Sequence, residues 1–282
     1  MSDANLVLRH DQGSVATLTL NRPGLYNAWG PDMAAVLVRM LDEIEADQTI
    51  KVCILTGEGS KAFSSGANMQ DSSSHSVESV DEHLMGMNPL SRPKFFDDLL
   101  DFRKPLICAV NGYAVGAGFL IAICCDIVLV SSSAKFSLPQ TSLGIIPAYG
   151  GTVRLAQWVG RGRAMDIALT GRVVDAVEAA HIGIASRVVD DKDLAAAAYE
   201  VASKLSEMPE IAVALAKESL LVAMEEGSLR TASVNDLYRS MALAMTDESK
   251  KRHVQWRERR RARASTEQVT GLTSRADTGR PF

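Results

Sequence analysis

Two short stretches of small residues offer chemistry through the backbone rather than through side chains. Residues 64–69, Ser-Ser-Gly-Ala-Asn-Met, follow a predicted strand, and Gly116-Ala117-Gly118 opens a predicted helix. Small side chains leave backbone N–H groups accessible, and a helix N-terminus favours nearby negative charge. Two such N–H groups converging on one carbonyl oxygen would form an oxyanion hole. Ordinary turns are the alternative interpretation of both stretches.

The glycines of these regions do not match a dinucleotide-binding fingerprint. The first candidate, Gly57-x-Gly59-x-x-Ala62, is followed by Phe-Ser-Ser-Gly, where the fingerprint requires an apolar helix. In the second, Ile121 occupies the third glycine position. The sequence contains no H-E-x-x-H, no cluster of Cys and His, and no G-x-S-x-G. We therefore predict neither a metal site nor an α/β-hydrolase nucleophile.

The elements that must position these stretches are predicted from apolar periodicity. Apolar runs on either side of Asp11-Gln12-Gly13 indicate a hairpin, and a helix follows Pro31. Residues 51–56 and 126–131 are predicted strands. After Gly160 the chain is predicted to be mostly helical. Strands that alternate with helices are typical of an α/β fold with parallel pairing.

Charge and composition argue against a nucleic-acid partner. Of the 282 residues, 46% are hydrophobic, 5% aromatic and 23% charged, with a net charge of −4. A basic run over residues 250–263 carries +7, so the rest of the chain is acidic, at −11. Nucleic-acid-binding domains are usually basic over a whole face with interleaved aromatic residues. We expect no such partner here.

The cysteines and the N-terminus suggest a reducing, cytoplasmic location. Four cysteines lie in apolar runs without C-x-x-C spacing, which is typical of buried free thiols. The first ten residues have no secretory pattern. Residues 105–125 are uncharged, but Asn111 and three glycines interrupt them. We predict a buried strand, a turn and a helix there, and no membrane partner.

Four sequence segments together resemble those of the crotonase superfamily, which comprises the enoyl-CoA hydratases and isomerases. They are NRPGLYNAW, ILTGEGSKAFSSGANM, KPLICAVNGYAVGAGFLIAICCDIVLVSSSAKFSLPQTSLGIIPAYGGTVRLAQWVG and RAMDIALTGRVVDAVEAAHIGIASRVV. The resemblance covers roughly residues 5–261 and implies an α/β, crotonase-like fold of repeated ββα units with a helical C-terminal region. Its implied partners are an acyl-CoA thioester and further copies of the chain, in a homotrimer or a dimer of trimers. Coenzyme A then forms part of the substrate, and no separate cofactor is expected.

This resemblance also implies a division of the chain. Residues 1–200 would form the core with the acyl-CoA site. Residues 201–263 would form a helical region for trimerisation, and residues 264–282 a flexible tail. The Ser-rich, acidic segment that begins at residue 71 is predicted to be a mobile surface loop and lid that leads into a helix ending near residue 101.

By position in the family's motifs, the oxyanion N–H groups belong to Ala67 and Ala117. Hydratases of the family carry one glutamate three residues after the second donor and another after the proline of the F-x-x-P-E word. Leu120 and Gln140 stand at those positions. Leucine transfers no proton, and an amide does not ionise near neutral pH. The aspartate that some isomerases place in the I-P-x-x-G-G turn is also absent, since residues 147–151 read Pro-Ala-Tyr-Gly-Gly.

Several residues are candidates to replace the missing carboxylates. Tyr149 lies in the turn that faces the site in the family and would donate a proton, or it fills space. Gln140 would orient a water or a polar acyl group, or it is structural. Asp126 resembles the family's buried structural aspartate. Polar residues of the lid, each with solvent exposure as the alternative, are Asp71, His75, Glu78, Glu82 and His83.

The resemblance also implies a set of substrate contacts. The pantetheine and adenine wall would be formed, largely through backbone groups, by Leu25, Tyr26 and Ala28, with Ala67 and Met69. Trp256 and Arg260 lie where C-terminal side chains of the family cover the nucleotide, although a solvated basic face is the alternative. The other expected substrate contacts are Ser65, Gly66, Asn68, Gly116 and Leu120.

The function expected from this sequence is acyl-CoA processing through a thioester enolate. Ordinary enoyl-CoA hydration is not expected, because both glutamate positions lack a carboxylate. Decarboxylation of a malonyl-type thioester and C–C hydrolysis are alternatives that need no carboxylate pair. A non-catalytic acyl-CoA-binding subunit is the alternative from a different class.

Overall fold

The structure is a computed structural model that describes residues 5–68, 94–148, 150–225 and 228–259. The chain divides into two compact units, Met1–Glu218 and Ser219–Phe282. The three-part division of the chain drawn from its sequence stays a prediction.

A six-stranded sheet forms the centre of the first unit. Its strand order is β1-β2-β3-β5-β7-β10. β1 and β2 are antiparallel, and every other neighbouring pair is parallel. The strands are β1 (Val7–Gln12), β2 (Val15–Leu20), β3 (Val52–Gly57), β5 (Leu106–Val110), β7 (Ile127–Ser131) and β10 (Arg187–Val189).

A second, four-stranded sheet has the order β4-β6-β8-β9. Its first three strands are parallel, and β9 is antiparallel to β8. The strands are β4 (Ala62–Ser64), β6 (Tyr113–Val115), β8 (Lys135–Ser137) and β9 (Val174–Asp175). Each is only two or three residues long, which is too short to display a strand period.

The helices occupy the segments between strands and most of the chain after residue 151. They are α1 (Pro31–Ala46), α2 (Lys94–Asp101), α3 (Ala117–Cys124), α4 (Gly151–Thr170), α5 (Ala176–Ile182), α6 (Leu194–Ser206), α7 (Glu210–Glu225), α8 (Leu229–Ala244) and α9, residues 247–259. Short 3-10 turns lie at Pro23–Leu25, Pro139–Leu143 and Asp191–Asp193.

The inner strands of the six-stranded sheet are buried on both faces, whereas the edge strands β1 and β10 are partly exposed. On one face, β2, β3 and β5 pack against α6 through Leu194, Ala198 and Ala202. On the other face, apolar residues of α1, α2 and α3 form the larger core cluster. Parallel strands covered on both faces are expected to be nearly continuous apolar runs, as KVCILT and PLICAV are.

The predicted α/β class, the hairpin, the helix after Pro31 and the strand, turn and helix from Pro105 are confirmed. The apolar helix, α3, has eight residues. In the described part of the chain, no helix is both long enough and apolar enough to cross a bilayer. The four cysteines are buried and free. Helical structure begins at Gly151, earlier than predicted, and Gly160 breaks the regular φ/ψ of α4 with a φ of +77°.

Candidate active site

The first small-residue stretch leaves β4 and runs beside residue 29. The N–H of Trp29 donates to the carbonyl of Gly66 at 2.7 Å, and the N–H of Asn68 donates to the carbonyl of Trp29 at 2.7 Å. This parallel bridge uses the groups on either side of Ala67, so the N–H of Ala67 points away from Trp29. Gly66 has a φ of +88°, and an added β-carbon would lie 2.5 Å from the carbonyl oxygen of Val115.

The second stretch leaves β6 and begins α3. The N–H of Gly116 donates to the carbonyl of Ser137, and the carbonyl of Gly116 accepts from the N–H of Leu120 at 3.1 Å. Ala117 is the first residue of the helix, where backbone N–H groups lack partners in the preceding turn. Among the described residues, neither Ala117 nor Ala67 donates its N–H in a hydrogen bond.

The two stretches converge because β4 and β6 are parallel neighbours whose carboxyl ends meet at one edge of the sheet. Ser64 pairs with Ala114 in the register of these strands. A β-carbon on Gly118 would lie 2.4 Å from the carbonyl oxygen of Ser64, and one on Gly66 would lie 3.3 Å from the nitrogen of Ala117. Two unpartnered N–H groups on segments in such close contact can both reach one ligand oxygen.

Leu120 lies one turn beyond Ala117 and is 2% exposed. A β-carbon on Gly151 would lie 2.6 Å from its Cδ2 atom and 2.9 Å from its Cδ1 atom. The isobutyl group therefore fills the space between α3 and the start of α4. It brings no titratable atom to this contact.

Gln140 lies beside the second stretch, on the 3-10 turn Pro139–Leu143. A β-carbon on Gly116 would lie 3.4 Å from its Nε2 atom. The Oε1 atom of Gln140 is buried and has no hydrogen-bond partner among the described residues. Buried acceptors are normally satisfied, so this oxygen is available to a donor from a ligand or a water.

The segment that precedes α1 contacts the first stretch. The N–H of Ser65 donates to the carbonyl of Tyr26 at 2.9 Å, and its hydroxyl donates to the carbonyl of Leu25 at 3.2 Å. Leu25 and Tyr26 are exposed, whereas Ala28 is buried. The structure thus brings together the predicted wall residues and residues 65–68.

Two of the remaining predicted residues, Trp256 and Asp126, lie in the described part of the chain. Trp256 is 58% exposed on α9, in the second unit. Asp126 accepts from the N–H of Leu106 and from Lys217 Nζ, at 2.7 and 2.8 Å, which suits a structural role. The candidates that lie outside the described residues are Met69, Asp71, His75, Glu78, Glu82, His83, Tyr149 and Arg260.

Sequence reasoning assigned no role in the site to Asn27 or Trp29, and it did not predict the side-chain contact of Ser64. Asn27 is fully buried with a φ of +54° and donates through Nδ2 to the carbonyls of Glu58 and Ala62. Ser64 Oγ donates to the carbonyl of Asn27 at 2.8 Å. Trp29 holds the backbone around Ala67. Only the asparagine carries a local signal, since this residue type tolerates a left-handed backbone.

The Cys124 thiol, at the C-terminal end of α3, is held in its neutral form. Burial raises the pKa of the Cys124 thiol to about 12, and Arg154 opposes this shift while Asp97 adds to it. At neutral pH this thiol is not a nucleophile. Among the described residues, no group of three or more His, Cys, Asp or Glu side chains could hold a metal ion.

Comparison with known proteins connects this geometry to a family. The sequence profile named enoyl-CoA hydratase/isomerase matches residues 10–266. This chain belongs to the enoyl-CoA hydratase/isomerase family. Like its solved members, it combines a mixed α/β core with a helical C-terminal region.

Among the relatives of this family member is a short-chain-enoyl-CoA hydratase of Clostridium acetobutylicum. The two are 36% identical over 224 residues, which is 79% of this chain and 84% of the relative. A 1,2-epoxyphenylacetyl-CoA isomerase of Escherichia coli is 38% identical over 76% of this chain and 81% of its own length. An enoyl-CoA hydratase subunit I structure from Geobacillus kaustophilus superposes with a TM-score of 0.83 at 30% identity, covering 92% of this chain and 97% of that one.

Proposed function

We propose that this family member processes an acyl-CoA thioester and stabilises its enolate between the N–H groups of Ala67 and Ala117. The observation that carries the proposal is the convergence of these two N–H groups, which have no partner in the described part of the chain. The thioester oxygen would accept both hydrogen bonds. Preorganised donors of this kind stabilise the charge that develops on an oxygen in the transition state.

In this proposal, the reaction is not ordinary hydration. Addition of water across an α,β double bond needs a base for the water and an acid for the α-carbon, each worth about 10²–10⁴-fold. Leu120 offers neither group, and Gln140 offers only an amide. Measurement of crotonyl-CoA hydration by the purified protein tests this step. A turnover equal to that of ordinary hydratases would exclude the proposal that hydration is lost.

Decarboxylation is the alternative that the surroundings of Leu120 favour. A malonyl-type thioester loses CO₂ when the bond between its α-carbon and its carboxylate breaks, and the electron pair passes into the enolate. No base is required, and the enolate then takes one proton from water. The buried, apolar contact between Leu120 and Gly151 disfavours a charged carboxylate more than neutral CO₂. C–C hydrolysis of a β-keto thioester is a further alternative, in which Gln140 would orient the water.

The experiment that separates these reactions is a panel of enoyl-, malonyl- and β-ketoacyl-CoA substrates followed by mass spectrometry. Loss of 44 mass units indicates decarboxylation, and a gain of 18 indicates hydration. A binding subunit without activity would retain acyl-CoA and leave every substrate of the panel unchanged. In that case the enolate step is excluded, and only the thioester-binding part of the proposal remains.

The proposed partners are coenzyme A, as part of the substrate, and further copies of the chain in a homotrimer or dimer of trimers. On the Met1–Glu218 unit, several large apolar side chains are more than half exposed, which supports self-association. They are Leu143, Ile145, Ile146, Val153, Leu169 and Val177. The basic run of α9 would contact CoA phosphates. Native mass spectrometry with and without CoA tests how many copies of the chain and how many CoA molecules the assembly contains.

We also propose a cytoplasmic location, because the four cysteines are free thiols.

A further inference from the structure

Arg154, on the first turn of α4, is a largely buried cation whose hydrogen bonds are incomplete. Its side chain is 19% exposed. Its Nε atom is buried and has no hydrogen-bond partner among the described residues. Buried polar groups are normally satisfied, so an exception calls for a physical explanation.

The guanidinium packs against the backbone of Gly150 instead. A β-carbon on Gly150 would lie 3.3 Å from Arg154 Nε, 3.7 Å from Nη2 and 3.8 Å from Cζ. The φ of Gly150 is +75°, and its carbonyl accepts the N–H of Arg154 at 2.9 Å. The planar group therefore packs against the turn at Gly150 that precedes α4. A lysine has no plane with which to make this contact.

That turn supports the helix that begins with Ala117. The next residue, Gly151, is buried, and its added β-carbon would lie 2.6 Å from Leu120 Cδ2 and 3.2 Å from Pro147 Cβ. Leu120 in turn donates its N–H to the carbonyl of Gly116. A shift of the turn is therefore transmitted to the residues on either side of Ala117.

The other end of the guanidinium connects to α2. Arg154 Nη2 lies 3.7 Å from Asp97 Oδ1. Two residues before this aspartate, Phe95 stacks on Trp29 with 4.2 Å between ring centroids. Trp29 makes the backbone hydrogen bonds on both sides of Ala67. Thus α2 is linked to the first N–H segment through Phe95 and Trp29, and to the second through Arg154, the Gly150–Gly151 backbone and Leu120.

We propose that Arg154 is a positioning residue that holds the two oxyanion N–H segments in place relative to each other. It does so by packing against the turn at Gly150 and by pairing with Asp97. This inference rests on the proposed function, since it concerns the placement of the same two N–H groups. It assigns to Arg154 no contact with the substrate, so its loss should weaken carbonyl polarisation more than CoA binding.

The test uses 4-dimethylaminocinnamoyl-CoA, whose absorption band moves to longer wavelength when its thioester carbonyl is polarised. The band position at saturation reports the oxyanion hole, and calorimetry gives the Kd of free CoA. Arg154→Met is expected to lose at least half of the wild-type red shift while its Kd for CoA stays within twofold. Arg163→Met is the control, because this arginine is exposed on the same helix.

Two further variants keep the test informative. Arg154→Lys retains the charge without the planar contact, and we expect it to lose part of the red shift. Asp97→Asn should also reduce the red shift. The double variant, Arg154→Met with Asp97→Asn, should lose less red shift than the sum of the two single losses, because the two residues act through each other.

Three results would overturn the inference. One is a wild-type red shift in Arg154→Met, and another is a loss of CoA affinity that parallels the loss of red shift. The third concerns the case in which Arg154→Met does not fold. In that case, a wild-type red shift in both Arg154→Lys and Asp97→Asn would overturn the inference. Failure of the wild-type protein itself to bind or polarise the probe would instead count against the proposed function.

Discussion

The side chain of Leu120 occupies the space into which a β-carbon on Gly151 would project, with 2.6 Å between that position and Cδ2. This contact joins α3 to the start of α4 at the candidate active site. It also explains why an apolar residue is tolerated on the inner face of the site: the leucine is 2% exposed and packs against backbone.

Gly151→Ala is expected to lower the free energy of unfolding by about 1–3 kcal/mol, because the new methyl group overpacks against Leu120. Chemical denaturation measures the change. Gly162→Ala is the control, since nothing lies within 4 Å of its added β-carbon and alanine favours helix by up to about 1 kcal/mol. Adding Leu120→Ala to Gly151→Ala should recover part of the loss due to overpacking. Equal stability of the two glycine variants would contradict the contact.

Gly66→Ala is expected to abolish acyl-CoA binding and to destabilise the protein by more than about 3 kcal/mol. Left-handed backbone alone costs about 1–3 kcal/mol, and the added β-carbon would also lie 2.5 Å from the carbonyl oxygen of Val115. Gly13→Ala separates the two causes, because Gly13 also has a positive φ but nothing within 4 Å. Gly13→Ala should lose only the stability that the left-handed backbone costs. Its acyl-CoA binding, measured by calorimetry, should be unchanged.

Gln140→Glu is expected to raise crotonyl-CoA hydration by about 10²-fold over wild type, because it supplies one acid–base group beside Gly116. The gained activity should fall as the pH is lowered and the new carboxylate becomes protonated. Ser142→Glu places a carboxylate on the same turn at an exposed position and is the control. A gain in both variants, or in neither, would show that Gln140 does not face the reacting atoms.

Lys104→Met is expected to destabilise the fold by about 1–3 kcal/mol, because it removes two hydrogen bonds from a charged donor, while each carbonyl keeps a longer hydrogen bond from a backbone N–H. Lys104 is 7% exposed, and its Nζ donates to the carbonyls of Ile44 and Asp47, both at 2.6 Å. These carbonyls end α1. Lys192→Met, at an exposed position, should change stability by less than about 0.5 kcal/mol. Denaturant titration at pH 7 compares the two variants.

The same lysine predicts a pH dependence. Burial lowers the pKa of Lys104 below its ordinary value of 10.5, against the opposing pull of nearby acidic groups. Between the lowered pKa and 10.5, the unfolded chain binds more protons than the folded chain, so this group makes stability rise with pH. The increase in the free energy of unfolding with pH should be present in the wild-type protein and missing from Lys104→Met. A Lys104→Met curve parallel to that of wild type would contradict it.

Local sequence patterns predicted the strands and helices that are long enough to show an apolar periodicity. The run KVCILT and the helix after Pro31 are long enough for apolar spacing to identify them, and both form as predicted. The four-stranded sheet was missed because strands of two or three residues show no alternation. The start of α4 was predicted too late, since the glycines at 150 and 151 look like a turn until Gly151 is seen to pack on Leu120.

The sequence by itself determined the α/β class, the buried thiols, the family resemblance and the two small-residue stretches. Each of these depends on residue types at fixed spacing along the chain. Only the tertiary structure decided that Trp29 holds the backbone around Ala67 and that Arg154 reaches from Gly150 to Asp97. These partners lie about 40 to 60 positions apart, and such contacts are set by strand order and helix packing, which no local pattern encodes.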